Sequence, residues 1–139
     1  MISQPRSECP INRTLEMLGD QWSLLILRDI ALENRRSFRD LLTGSEEGIS
    51  APVLSRRLGD LVAAGFLTKT EVARGKQGRY TFTELGLSTV PLLVELGRLG
   101  RRIDPTTQDR EAAMGNLDER VAQLRVAHLS HGGQVPRAT

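Results

Sequence analysis

Apolar residues recur at helical spacing along most of the chain, and two short stretches near its middle have the composition of strands. Pro10 suits the first turn of a helix that runs to about Leu18 and is stopped by Gly19. Its buried side is expected to carry Leu15 with Leu18 or Met17. Trp22 to Glu33 has the strongest helical pattern: Trp22, Ile26 and Ile30 step by four, with Leu25 and Leu27 widening the face and Trp22 read as a core anchor. Asn34, Arg35 and Arg36 read as a turn beside acidic neighbours such as Glu33 and Asp40. Ser37 then caps a short helix from Phe38 to about Thr43, with Phe38, Leu41 and Leu42 facing inward. Gly44 to Gly48 is a polar loop.

Ser50 is a good N-cap and Pro52 a good first-turn residue for a helix that runs to about Ala64. At 100° per residue, Leu54, Leu58, Leu61 and Val62 share one side, Pro52, Arg56, Gly59 and Ala63 lie opposite, and Arg57 sits at the edge. Phe66–Val72 and Arg79–Phe82 read as strands joined by a long turn, Ala73–Gly78. Thr83 caps a helix predicted from Glu84 to about Ile103, kinked by the internal Pro91. Asp104-Pro105 breaks it. From Gln108 to about Leu129, Met114, Leu117, Val121, Leu124 and His128 step by three and four, a seam suited to a second subunit or to the helix's own protomer.

The predicted fold class is therefore mainly α with a small β-hairpin: a winged helix-turn-helix with flanking dimerisation helices. Residues 1–8 are expected to be a flexible tail, 9–103 the winged-helix unit, 104–130 a C-terminal amphipathic helix, and 131–139 a disordered tail. Aromatics make up only 4% of the 139 residues, which favours an aliphatic helical core over a β-sandwich. The longest apolar-rich run, Trp22 to Leu32, is interrupted by Arg28 and Asp29 and is too short to cross a bilayer. The N-terminus lacks the apolar stretch of a secretory signal, and a single cysteine permits no intrachain disulfide. These features lead us to expect a cytoplasmic protein.

Charge sharpens the picture. Between Ser50 and Phe82 six basic side chains face two acidic ones, a local +4 on a chain of net charge +2. Such a stripe on a nearly neutral protein suits a phosphate-bearing partner, which makes double-stranded DNA the expected ligand. A helix enters the major groove when its outward face is small or polar near its N-terminus. Ser50, Pro52 and Ser55 leave that room, Arg56 reaches a base edge or a phosphate, and Arg57 is placed for backbone phosphate. In the hairpin, Arg74, Lys76 and Arg79 are the candidate wing contacts.

Several segments in order resemble a known family: CPINRTLEMLGDQWSLLILRDI, FRDLL, GISAPVLSRRLGDLVAAGFL, YTFTELG and Pro91 are similar to the HxlR-type bacterial transcription regulators, relatives of the MarR group. The similarity covers roughly Cys9 to Arg102. It implies a homodimeric winged-helix protein that binds palindromic promoter DNA, with repression the default expectation and activation left open. In that family the helix around Leu54–Leu61 reads DNA, the hairpin is the wing, and the N-terminal helix and those after the wing form the dimer. The wing here, ARGKQGRY, departs from the family's proline-bearing turn.

The resemblance also places Cys9 where some such regulators carry an oxidant-sensing thiol. A position just before a helix N-terminus, with Arg13 one turn on, favours a thiolate. The other reading is a small residue packed against a neighbouring subunit. Asp20, Gln21 and Trp22 are candidates to border a small-effector pocket. His128 and His131 lie three apart beside no Glu or Cys cluster, so a surface pair is favoured over a metal site. No nucleophile-and-base pairing or phosphate-binding loop is present in the sequence, which argues against an enzyme and calls for no cofactor. The competing class is a winged helix that binds protein alone.

Overall fold

The computed structural model describes residues 4–70, 78–108 and 115–129. Its elements are α1 (Pro10–Leu18), α2 (Ser23–Glu33), α3 (Phe38–Thr43), α4 (Ala51–Ala63), β1 (Leu67–Thr70), β2 (Arg79–Phe82), α5 (Glu84–Leu87), α6 (Thr89–Ile103) and α7 (Leu117–Leu129).

Local chemistry sets the helix starts. Asp20 caps α2: its Oδ1 accepts the N–H groups of Trp22 and Ser23, both at 2.8 Å, and its Oδ2 accepts the Ser23 hydroxyl. Asn34 ends α2 in the left-handed conformation, φ 55°. Ser37, Ser50 and Thr83 cap α3, α4 and α5 as their side chains predicted, each accepting an N–H of the first turn. Ile49, just before the Ser50 cap, is buried together with Leu54 of the first turn, a hydrophobic staple that sets the angle at which α4 begins.

The core joins Leu27 and Ile30 of α2, Leu41 of α3, Leu54, Leu58 and Leu61 of α4, Leu67 and Phe82 of the hairpin, and Leu87 and Val90 beyond it. The hairpin is antiparallel, with Leu67 opposite Phe82 and Thr70 opposite Arg79. The connector before α3 joins it: the Tyr80 N–H donates to the Arg36 carbonyl at 2.7 Å.

Several expectations are corrected. Leu15 and Val62 are exposed rather than buried. Leu18 and the carboxylate Glu16 take the inner side of α1. Trp22 is half-buried against the core rather than anchoring it. The single helix expected from Glu84 to Ile103 is broken at Ser88, because Pro91 has no N–H to give the Leu87 carbonyl. The last helix starts at Leu117, not Gln108. Gly115 takes φ 67° and the Asn116 side chain accepts the Glu119 N–H. Residues 109–114, with Met114 of the seam, lie outside the described residues, as do the 131–139 tail and His131. The N-terminal segment is not loose at Arg6, whose backbone N–H and Nε both donate to Glu16.

The seam of α7 faces its own protomer. Leu124 is in the core, and Leu117, Val121 and Leu129 pack against it. His128 is not a surface residue: it is buried, its ring 5.0 Å from that of Phe82 and its Nδ1 accepting the Phe82 N–H. Arg120 donates to the Ala31 carbonyl, and Arg125 makes a paired bond to Glu84. A subunit contact through α7 would therefore use a different face.

Candidate nucleic-acid interface

Helix α4 is divided lengthwise. Leu54, Leu58 and Leu61 are sealed in the core, while Pro52 and Arg56 are exposed on the opposite side, with Ser50 at the cap and Ser55 on the flank exposed beside them near the N-terminus. Small and polar groups there let the helix backbone come close to a groove, and Arg56 has the reach to meet a base edge or phosphate.

Arg57 sits differently. It is half-buried, with Nε 3.4 Å from Asp20 and Nη1 3.3 Å from Asp60. Burial pushes the Asp20 carboxyl up, but bonds from Ser23 and Trp22 and the Arg57 charge more than offset this and hold it below its ordinary value. Arg57 thus ties the outward helix to the cap of α2, and in this geometry its guanidinium is turned to the protein.

The loop before α4 is braced from α2. Arg28 makes a two-pronged bond to Glu47 at 2.8 and 2.9 Å and a third to Asp29 at 2.9 Å, and Arg35 lies 3.7 Å from Asp29. Burial raises the Asp29 carboxyl, against the lowering influence of Arg28 and Arg35. The Arg28 guanidinium is held more firmly charged by Glu47 and Asp29.

In the hairpin, Arg79 is exposed at the start of β2, beside Thr70. Arg74 and Lys76, the other wing candidates, lie outside the described residues. Arg36 is the residue that sequence reasoning passed over. It pairs with neither Glu33 nor Asp40; its Nε donates to the Tyr80 carbonyl at 3.1 Å and its Nη2 to Thr81 Oγ1 at 2.9 Å. No local signal marks it, since its partners are more than forty residues away.

Cys9 is exposed at the N-cap of α1. An open pocket of about 350 Å³ lies nearby, lined by Arg13, Met17, Leu18, Phe66, Leu85 and Leu92 among others. Asp20, Gln21 and Trp22 do not line it. Among the described residues no group of three or more His, Cys, Asp or Glu is placed to hold a metal ion.

A family model described as HxlR-like helix-turn-helix matches residues 17–108. An HTH-type transcriptional regulator of Mycobacterium bovis is 34% identical over 91 residues, 65% of this chain and 56% of that protein. Another, of Synechocystis, is 28% identical over 66% of this chain and 67% of its own length. The chain thus spans little more than half of the mycobacterial relative. Among solved structures, PA1607, described as a transcription factor, superposes with a TM-score of 0.68 at 30% identity, covering 77% of this chain and 75% of that one. A MarR-family regulator from Porphyromonas gingivalis superposes with a TM-score of 0.60 at 26% identity, covering 72% and 95%.

Proposed function

The chain belongs to the HxlR-like helix-turn-helix family of transcriptional regulators, and on that premise we propose that it binds palindromic promoter DNA as a homodimer and represses transcription by occupying the promoter. The observation that carries this reading is the exposed row Ser50, Pro52, Ser55 and Arg56 on a helix whose other side is locked into the core. The hairpin supplies the flanking wing, with Arg79 exposed at its root.

A two-fold pair fits the surface of α1 and α6. Leu96, Leu99 and Ile103 follow the half-buried Leu92 at four- and three-residue steps on α6 and stand open, as do Ile11 and Leu15 of α1. Apolar rows of this kind mark association surfaces, and a second copy presents the same rows in return. One short helix reads few base pairs, whereas a dimer reads two half-sites about one DNA turn apart. The reading is non-enzymatic and places the protein in the cytoplasm. No helix among the described residues is long and apolar enough to cross a membrane. Exposed Cys9 is the proposed point of oxidant control, and the pocket beside α1 the proposed place for a small effector.

The test is a titration of the purified protein against its own upstream promoter fragment at two salt concentrations, reduced and after mild oxidation. Tight, salt-dependent, sequence-preferring binding that Arg56→Ala weakens supports the reading. Equal, weak binding to any duplex overturns it in favour of a protein-binding module. An oxidation effect that survives Cys9→Ser removes the cysteine from the scheme.

A further inference from the structure

Arg36 and Arg79 stand near one another at the root of the wing, and among the described residues no carboxylate lies between them. The connector between α2 and α3 runs alongside β2, where the Arg36 carbonyl takes the Tyr80 N–H and the Arg36 side chain returns to the Tyr80 carbonyl and the Thr81 hydroxyl. Arg79 and Thr81 are two apart on one strand, so their side chains leave the same face of the hairpin. Thr70, opposite Arg79, has its hydroxyl 3.4 Å from that of Thr81. Arg36 and Arg79 thus flank a pair of hydroxyls.

Electrostatics there is unfavourable for the protein alone. Burial, and then the Arg79 charge, lower the Arg36 guanidinium to about 10. The half-buried arginines of α2 and α4 are matched to acid: Arg28 to Asp29 and Glu47, Arg57 to Asp20 and Asp60. Arg36 and Arg79 have no acidic partner among the described residues. The Arg36 fork is held rigid by two protein acceptors, which sets its remaining N–H donors in place before any ligand arrives.

We propose that Arg36 and Arg79 form a two-arginine clamp for one backbone phosphate of the bound duplex. This rests on the reading of the protein as a DNA binder and adds to it a contact made by the segment ahead of α3. Because a phosphate oxygen carries no base identity, the clamp fixes where the wing sits and does not choose sequence. The phosphate supplies a counter-charge that no described residue provides, and the planar fork suits its oxygens.

The experiment measures affinity against salt for the full chain, using the upstream promoter fragment and an unrelated duplex of equal length. Arg79→Gln, on an exposed side chain, is expected to reduce the slope of log affinity against log salt by about 0.9 on both duplexes. Over the range from about 50 to 200 mM salt that is a difference of about 3.5-fold. Arg36→Gln is expected to do the same, and Arg36→Lys, which keeps the charge, to retain the wild-type slope. The clamp is overturned if folded Arg79→Gln and Arg36→Gln both keep that slope. It is equally overturned if Arg36→Lys matches Arg36→Gln, since Arg36 then serves only to hold β2. Should Arg36→Gln not fold, Arg79→Gln and Arg36→Lys decide by the same criteria. Wild-type protein whose binding ignores salt on both duplexes refutes the DNA reading itself, a result distinct from an unaltered slope in the variants.

Discussion

The imidazole Nδ1 of His128 accepts the backbone N–H of Phe82 at 3.0 Å, joining the last helix to the second strand of the wing across 46 residues. Both partners are buried and their rings are in contact, so this bond fixes α7 against the hairpin. His128→Ala removes the acceptor and leaves a buried N–H without its partner. We expect a loss of about 2 kcal/mol in urea unfolding, with faster hydrogen exchange at the Phe82 amide.

Gly86 is fixed by contact rather than by dihedral angle. A Cβ there would run into the Phe66 carbonyl oxygen and come to 2.8 Å of Phe82 Cδ1. Gly86→Ala should lower the melting temperature by several degrees. Gly97→Ala, whose Cβ meets nothing within 4 Å inside α6, should raise stability by about 0.5–1 kcal/mol. Thermal melts of the two variants make the comparison.

Acid should weaken the fold through Asp20. Its folded-state carboxyl lies below the ordinary value of 3.8, so the unfolded chain takes up a proton first as pH falls. The stability it contributes is complete above that value and is lost as the pH drops through the folded-state one. Asp20→Asn should flatten the stability profile in that window. Denaturant midpoints of both proteins at pH 6 and pH 3 test this.

The brace from α2 to the loop before α4 should matter for stability and for DNA binding alike. Arg28→Met leaves Asp29 buried without its nearest partner and frees Glu47 from its two-pronged bond. Losing one side of such a buried pair costs about 3 kcal/mol. Chemical denaturation reads that loss. A parallel DNA titration of the folded fraction should show weaker binding, since the loop no longer fixes where α4 begins.

Local chemistry made much of this fold legible. Ser37, Ser50 and Thr83 cap their helices because a cap depends on a side chain and the next turn alone. The exposed row on α4 follows from helical phase in the same way. What the sequence hid depends on distant partners. Leu15 and the seam of α7 have equal claims to the core, yet only the seam meets the protomer's own hairpin and α5. Arg36 looks like a turn residue until β2 arrives beside it. Helical phase puts Arg57 at the edge of the outward face but gives no sign of its ion pair with Asp20, which forms only when α4 packs beside the start of α2.

The closure of β2 bears on how the protein can be shortened. Its outward N–H groups at Tyr80 and Phe82 are taken by the Arg36 carbonyl and the His128 ring, so neither can template pairing with another chain. The family match ends at residue 108, well before the helix that supplies His128. A chain trimmed to the matched region would keep α4 but open an edge strand at Phe82 and uncover the apolar surface under Leu124. The C-terminal helix is thus a guard against sheet-to-sheet aggregation.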